Sequence, residues 1–220
     1  MTTLPSKLNL HTQSLVNRQV ALRRAAPGVA DDVPHLGLDA IHQIIDAAKT
    51  NRKGQRDALL IAVLFDGCLR ISEAIQIRPQ DICSYNGGWV IRITGAKQSR
   101  RYKPTAQDIA ISASLAAWLK AYAYDKGIKP DERLFKINRF RVHQIVKAAI
   151  IKAGVIKPAG VGSVHILRHS GAIERLRRTG NPKAVQDQLR HRSALMTLRY
   201  MKTLSRQESL EIQQQVDFQW

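Results

Sequence analysis

The chain has 220 residues, 44% hydrophobic and only 5% aromatic, with 35 Lys and Arg against 17 Asp and Glu for a formal net charge of +18. That is enough apolar material for one domain with a mostly aliphatic core, and a cationic excess spread along the whole length points to a polyanion, nucleic acid before an anionic membrane. No run of about 18 apolar residues could span a membrane, and the N-terminal MTTLPSKLNLHTQ lacks the apolar core of a secretion signal.

Residues 1–34 carry Pro5, Pro27, Gly28, Pro34 and the basic stretch RQVALRR. They read as an N-terminal arm, too short to fold alone, with a short helix fitting over 13–25. From Leu36 the pattern becomes regular. LGLDAIHQIIDAA has helical apolar spacing, RDALLIAVLFDGCL reads as a buried helix ending at Gly67, and ISEAIQI is a further short helix stopped before Pro79. An Asn-Gly-Gly turn then leads into the strand WVIRIT, and a second strand is expected near DIAIS. Between them lies the basic loop KQSRRYKPTAQ, in which Arg100, Arg101 and Lys103 are candidate phosphate contacts. The rest reads as helices: 114–127, 139–154, 164–180, 181–191, 193–203 and a terminal one from Ser205. The expected class is mainly α with a small antiparallel sheet (α+β) of two or three strands. Cys68 and Cys83 form no C-x-x-C pair and read as buried thiols of a protein kept in a reducing cytoplasm.

Breaking a phosphodiester without a metal requires a nucleophile, cations on the non-bridging oxygens and an acid for the leaving 5′ oxygen. Arginine suits the phosphate because its guanidinium is a planar fork of donors that stays charged. A tyrosine ester of the phosphate conserves the bond energy, so religation needs no nucleotide. The chain offers Arg70 in GCLRISEA, His165 and Arg168 in HILRHSGA, His191 in QLRHRS, Tyr200 in TLRYMK, and Lys97 at the end of the first strand. His165 and His169 are four apart, but no carboxylate lies between them and no third metal ligand is evident.

These motifs resemble the tyrosine recombinase (phage integrase) family, whose pattern is Arg, a hairpin Lys, His-x-x-Arg, His or Trp, then Tyr. His191 follows Arg168 by 23 residues and Tyr200 follows His191 by nine. The resemblance spans roughly residues 36–205 and implies that family's catalytic-domain fold. It implies that Arg70 and Arg168 clamp the scissile phosphate. His165 would accept the tyrosine proton or donate to the phosphate, and His191 would hydrogen-bond the phosphate. Tyr200 would attack, leaving a 3′-phosphotyrosyl link, while Lys97, with Lys103 as its rival, would protonate the leaving oxygen. Glu73 and His169 would support the arginines. The family usually has Gly where Arg190 stands, so Arg190, with Arg192, is expected to touch DNA phosphates.

The resemblance further implies double-stranded DNA bearing a recombination site as partner, a homo-tetramer on DNA, no cofactor and no membrane association. An accessory DNA-bending or directionality protein, a mobile-element setting and a prokaryotic cytoplasmic, nucleoid-associated location also fit. The chain resembles short members that consist of the catalytic domain alone, with 35–205 as that domain. The tail 206–220, with Leu210, Ile212, Val216, Phe218 and Trp220, is expected to contact a neighbouring subunit. The alternatives are a DNA-binding module of the same fold that has lost turnover and a type IB topoisomerase-like enzyme.

Overall fold

The computed structural model describes residues 33–94, 106–191 and 193–215. Nine helices and one sheet are found among them. Helix α1 (Leu38–Lys49) buries Ile41, Ile44 and Ala48 on one stripe, as its apolar spacing requires. Helix α2 (Gly54–Asp66) is apolar nearly all round and forms the centre of the core, with Ala58 to Leu64 buried throughout. The turn between them needs a glycine: a Cβ on Gly54 would lie 1.8 Å from the carbonyl oxygen of Lys49.

Helix α3 is only Ile71–Ala74, shorter than the helix expected over 71–77. Beyond Ala74 the bonds tighten to i→i−3, Gln76 to Glu73 and Ile77 to Ala74, before Pro79 opens a 3₁₀ turn. The sheet has three antiparallel strands, β1 (Ile82–Tyr85), β2 (Gly88–Thr94) and β3 (Ala106–Ile111), in that order. Asn86 and Gly87, at φ 44° and 77°, form the two-residue turn, which suits the right-handed twist of a hairpin. Ile91 and Ile109 pair across β2 and β3 and are fully buried. Cys83 lies on β1 and is partly exposed, not buried as expected, whereas Cys68 is fully buried.

Helices α4 (Ala113–Asp125), α5 (Arg139–Lys152) and α6 (Ser163–Thr179) complete the main core. A smaller apolar cluster lies beyond α6. In it Val33, Cys68, Ala172, Ile173, Leu176, Val185, Leu189 and Tyr200 pack together. It carries α7 (Pro182–Leu189) and α8 (Ala194–Met201). The lead-in at Val33–Leu36 is stitched to this region: the Val33 amide donates to Thr203 Oγ1 at 3.1 Å and the Leu36 amide to Ser170 Oγ at 2.8 Å.

The tail helix α9 (Arg206–Gln213) lies back on α6 of its own chain. Arg177 donates to Glu208 at 2.6 Å, and Ile212 covers Gly180, the left-handed residue that ends α6. Leu210 is exposed, and Val216, Phe218 and Trp220 lie outside the described residues. Residues 1–32, which hold the expected arm and the helix over 13–25, also lie outside them.

Candidate active site

The site begins where α2 stops. Gly67 caps the helix, and Cys68 takes the left-handed conformation at φ 48°. That reversal points the Cys68 carbonyl towards α6 and delivers Arg70 to the N-cap of α3. Glu73, three residues on, fixes it: its carboxylate accepts from the Arg70 amide at 2.7 Å and from Nη1 at 3.0 Å. The Arg70 side chain is about half exposed (49%), so the rest of its guanidinium faces solvent.

Helix α6 supplies the second group. His165, Arg168 and His169 fall at i, i+3 and i+4 and so share one face. The face reaches the end of α2 because residue 171 is glycine: a Cβ there would sit 2.0 Å from the Phe65 carbonyl oxygen. The Arg168 guanidinium is buried; Nη1 donates to the Cys68 carbonyl and Nη2 to the Leu189 carbonyl at 2.7 Å. Burial first, then Arg70 and Arg190, lower its pKa to about 10, which leaves it charged at neutral pH. His165 stands exposed at the mouth of the cleft.

The third group comes from the end of α7 and from α8. Buried Gln188 anchors α7 by donating to the carbonyls of Gly67 and Ala110 and accepting from the Ala110 amide. Arg190 follows in the left-handed conformation, φ 55° and ψ 44°, which explains why glycine suits this position. Its side chain was expected at the DNA. It turns inward instead, 8% exposed, and Nη2 meets Glu73 at 2.5 Å while Nη1 donates to the Gln188 carbonyl at 3.1 Å. His191 Nδ1 pairs with Thr197 Oγ1 at 3.0 Å. Tyr200 is 4% exposed, and its hydroxyl is 2.8 Å from His169 Nδ1.

The electrostatics follow from burial beside cations. His169 is pushed down to about 4 by burial, then by His165 and Arg168. His191 falls to about 4 by burial, then by Arg168, Arg70 and Arg190. Burial pushes Tyr200 up to about 12, with Arg168 opposing. At neutral pH the tyrosine is therefore protonated and His169 neutral, so the hydroxyl donates and the ring nitrogen accepts.

Arg70, His165, Arg168, His169, His191 and Tyr200 thus line one cleft of about 600 Å³. Glu73 stands behind it, held to Arg70. His169 was expected only to support an arginine, yet it takes the tyrosine hydroxyl. Sequence reasoning missed three residues: Arg139 and Arg199, which also line the cleft, and Thr197, which orients His191. Arg199 adjoins the tyrosine and Arg139 opens α5 after its Asn138 cap. Lys97, Arg100, Arg101, Lys103 and Arg192 lie outside the described residues. Among the described residues no three His, Cys, Asp or Glu side chains are grouped to hold a metal, and no helix is long and apolar enough to cross a membrane.

Comparison with known proteins covers nearly the same span. The sequence model of the phage integrase family matches residues 35–206. The tyrosine recombinase XerC of Methylobacterium sp. (strain 4-46) is 34% identical over 152 residues, which are 67% of this chain and 45% of that protein. XerC of Nitrobacter winogradskyi is 30% identical over 190 residues, 80% of this chain and 56% of that one. The chain therefore spans about half the length of these curated relatives. Among solved structures, the catalytic domain of bacteriophage HP1 integrase superposes with a TM-score of 0.60 at 22% identity, covering 82% of this chain and 94% of that one. The XerH recombinase bound to its difH substrate gives 0.64 at 21% identity, covering 82% and 52%. At these identities the structural likeness concerns the fold.

Proposed function

Since the chain belongs to the phage integrase family of tyrosine recombinases, we propose that it is a site-specific DNA recombinase with Tyr200 as its nucleophile, working without metal or ATP. One observation carries the reading: the Tyr200 hydroxyl sits on the ring nitrogen of His169, 2.8 Å away, in the cleft that holds Arg70 and Arg168.

The chemistry follows from these groups. A scissile phosphate entering the cleft meets Arg70 from the side and Arg168 from below, and His191, with Nδ1 committed to Thr197, offers Nε2 to a phosphate oxygen. The tyrosine oxygen then bonds to phosphorus, the bond to the 5′ oxygen breaks, and the hydroxyl proton passes to His169. A histidine at about 4 is a weak base in the free protein. Burial is the main cause of that low value, with His165, Arg168 and Arg199 adding to it; an arriving phosphate opposes the charged part, because an anion nearby raises a histidine pKa. The site thus gains its base as it gains its substrate. His165, at the mouth, is placed for a phosphate oxygen. The leaving 5′ oxygen takes its proton from the hairpin lysine, Lys97 or its rival Lys103. Attack of a 5′ hydroxyl on the phosphotyrosine reverses each bond change and religates the strand.

Strand exchange requires two duplexes, which fits a tetramer on DNA. The test uses nicked suicide duplexes drawn from the repeats that flank the chain's own gene. A covalent protein–DNA adduct is expected from the wild type and none from Tyr200→Phe. Binding of those duplexes with no adduct would instead favour a binding module. Joint molecules formed from two duplexes distinguish recombination from relaxation of one.

A further inference from the structure

Arg190 is the feature that the chemistry above leaves unused. It carries a full charge into a buried position, where a cation is costly unless paired, and it does so on a left-handed backbone that costs a non-glycine residue about 1–2 kcal/mol. Its one carboxylate partner among the described residues is Glu73, whose Oε2 also accepts from the Arg70 amide and whose Oε1 holds the Arg70 side chain. Glu73 is thus shared between the exposed clamp arginine and a buried one.

We propose that Arg190 is a positioning residue of the phosphate clamp: through Glu73 it sets the guanidinium of Arg70, and it adds a third cation, behind the phosphate, without touching DNA. The inference rests on the reading of the cleft as a phosphate-transfer site. Without Arg190, the Glu73 carboxylate would be held by Arg70 alone, through its backbone amide and Nη1, and would lose its partner from behind. With Arg190, one oxygen is held from behind, and Arg70 is left with one geometry. The charge balance changes too. Arg70, Arg168 and Glu73 sum to one positive charge, and Arg190 raises that to two at a place where phosphoryl transfer accumulates negative charge.

The test compares full-length wild type with Arg190→Lys, Arg190→Met and Arg190→Gly, the last suiting the left-handed backbone and so protecting the fold. Single-turnover adduct formation is expected to slow by roughly 10- to 100-fold in Arg190→Met and Arg190→Gly, as for a misplaced reacting group, and to recover largely in Arg190→Lys. The slope of log Kd against log salt is expected to match wild type in all of them. A slope lowered by about one would make Arg190 a direct phosphate contact and overturn the proposal, as would adduct rates within about twofold of wild type in both Arg190→Met and Arg190→Gly.

A readout that needs no DNA separates this proposal from the reading beneath it. The groups facing His191 are Arg70, Arg168, His169 and Tyr200 in the cleft, and Asp108 and Asp187 on its outer side. Removing the Arg190 charge is expected to raise the His191 titration, followed by NMR, with Arg190→Lys unchanged. An unmoved titration in Arg190→Met overturns the electrostatic role even if the wild type forms no adduct, and that latter result alone would overturn the functional reading.

Discussion

The half of the cleft built from α2, α3 and α6 rests on the main core, with Leu64, Leu69, Ile166 and Leu167 fully or almost fully buried beneath it. The half built from α7 and α8 rests on the small cluster around Tyr200, and α8 turns Leu195, Met196, Leu198 and Met201 outward. Arg168 is hydrogen-bonded to two backbone carbonyls from different elements. Tyr200 has a single side-chain partner, His169. A clamp must hold one geometry against a charged substrate. A nucleophile must leave its resting place to form a bond, and a helix with few buried apolar contacts opens at lower cost.

If this contrast is right, replacing the clamp and replacing the nucleophile should fail differently. Arg168→Met is expected to slow adduct formation by roughly 10²–10³-fold or more. It should also destabilise the fold by roughly 2–4 kcal/mol, because the Cys68 and Leu189 carbonyls both lose their donor. Tyr200→Phe should abolish the adduct yet cost only about 1 kcal/mol in denaturant unfolding, the worth of one hydrogen bond. Equal stability losses would erase the distinction.

The two histidines make the cleft sensitive to acid. Both titrate near 6.5 when unfolded and near 4 when folded, so the unfolded chain takes up protons first as the pH falls. Their contribution is complete above about pH 6.5 and is lost progressively down to about 4. It amounts to a few kcal/mol for the pair, on the order expected for linkage and reduced by screening. Urea midpoints measured between pH 7.5 and 4.5 should fall accordingly, and less steeply in His169→Gln.

Gly171→Ala tests the contact that brings α6 to α2. A Cβ 2.0 Å from the Phe65 carbonyl forces the helices apart, and the expected loss is roughly 1–3 kcal/mol, or several degrees in thermal unfolding. The smallest effect belongs to the other half. Leu195→Gln, at an exposed position on α8, should change stability by no more than about 0.5 kcal/mol.

Much of this was legible in the sequence because it is local. Helical periodicity located α1, α2 and α6, and the Asn-Gly-Gly turn located the hairpin; Glu73 was set beside Arg70 by the family resemblance. What could not be read depends on how distant elements meet. Whether His165 or His169 reaches the tyrosine is decided by the depth at which α8 seats against α6, and nothing local encodes that depth. Arg190 replaces a glycine in a basic protein, which reads as a cation for DNA; only the packing of α7 against α6 brings its end to Glu73. Arg139 and Arg199 were lost among many cations of similar local setting.

The hydrogen bond between Val33 and Thr203 joins residues 170 positions apart. On a ribosome, Val33 is made 170 residues before its partner, and Tyr200 is made just ahead of that partner. The small cluster closes only when the newest residues return to Val33. The half of the cleft that carries Tyr200 is therefore the last part of the site that can close.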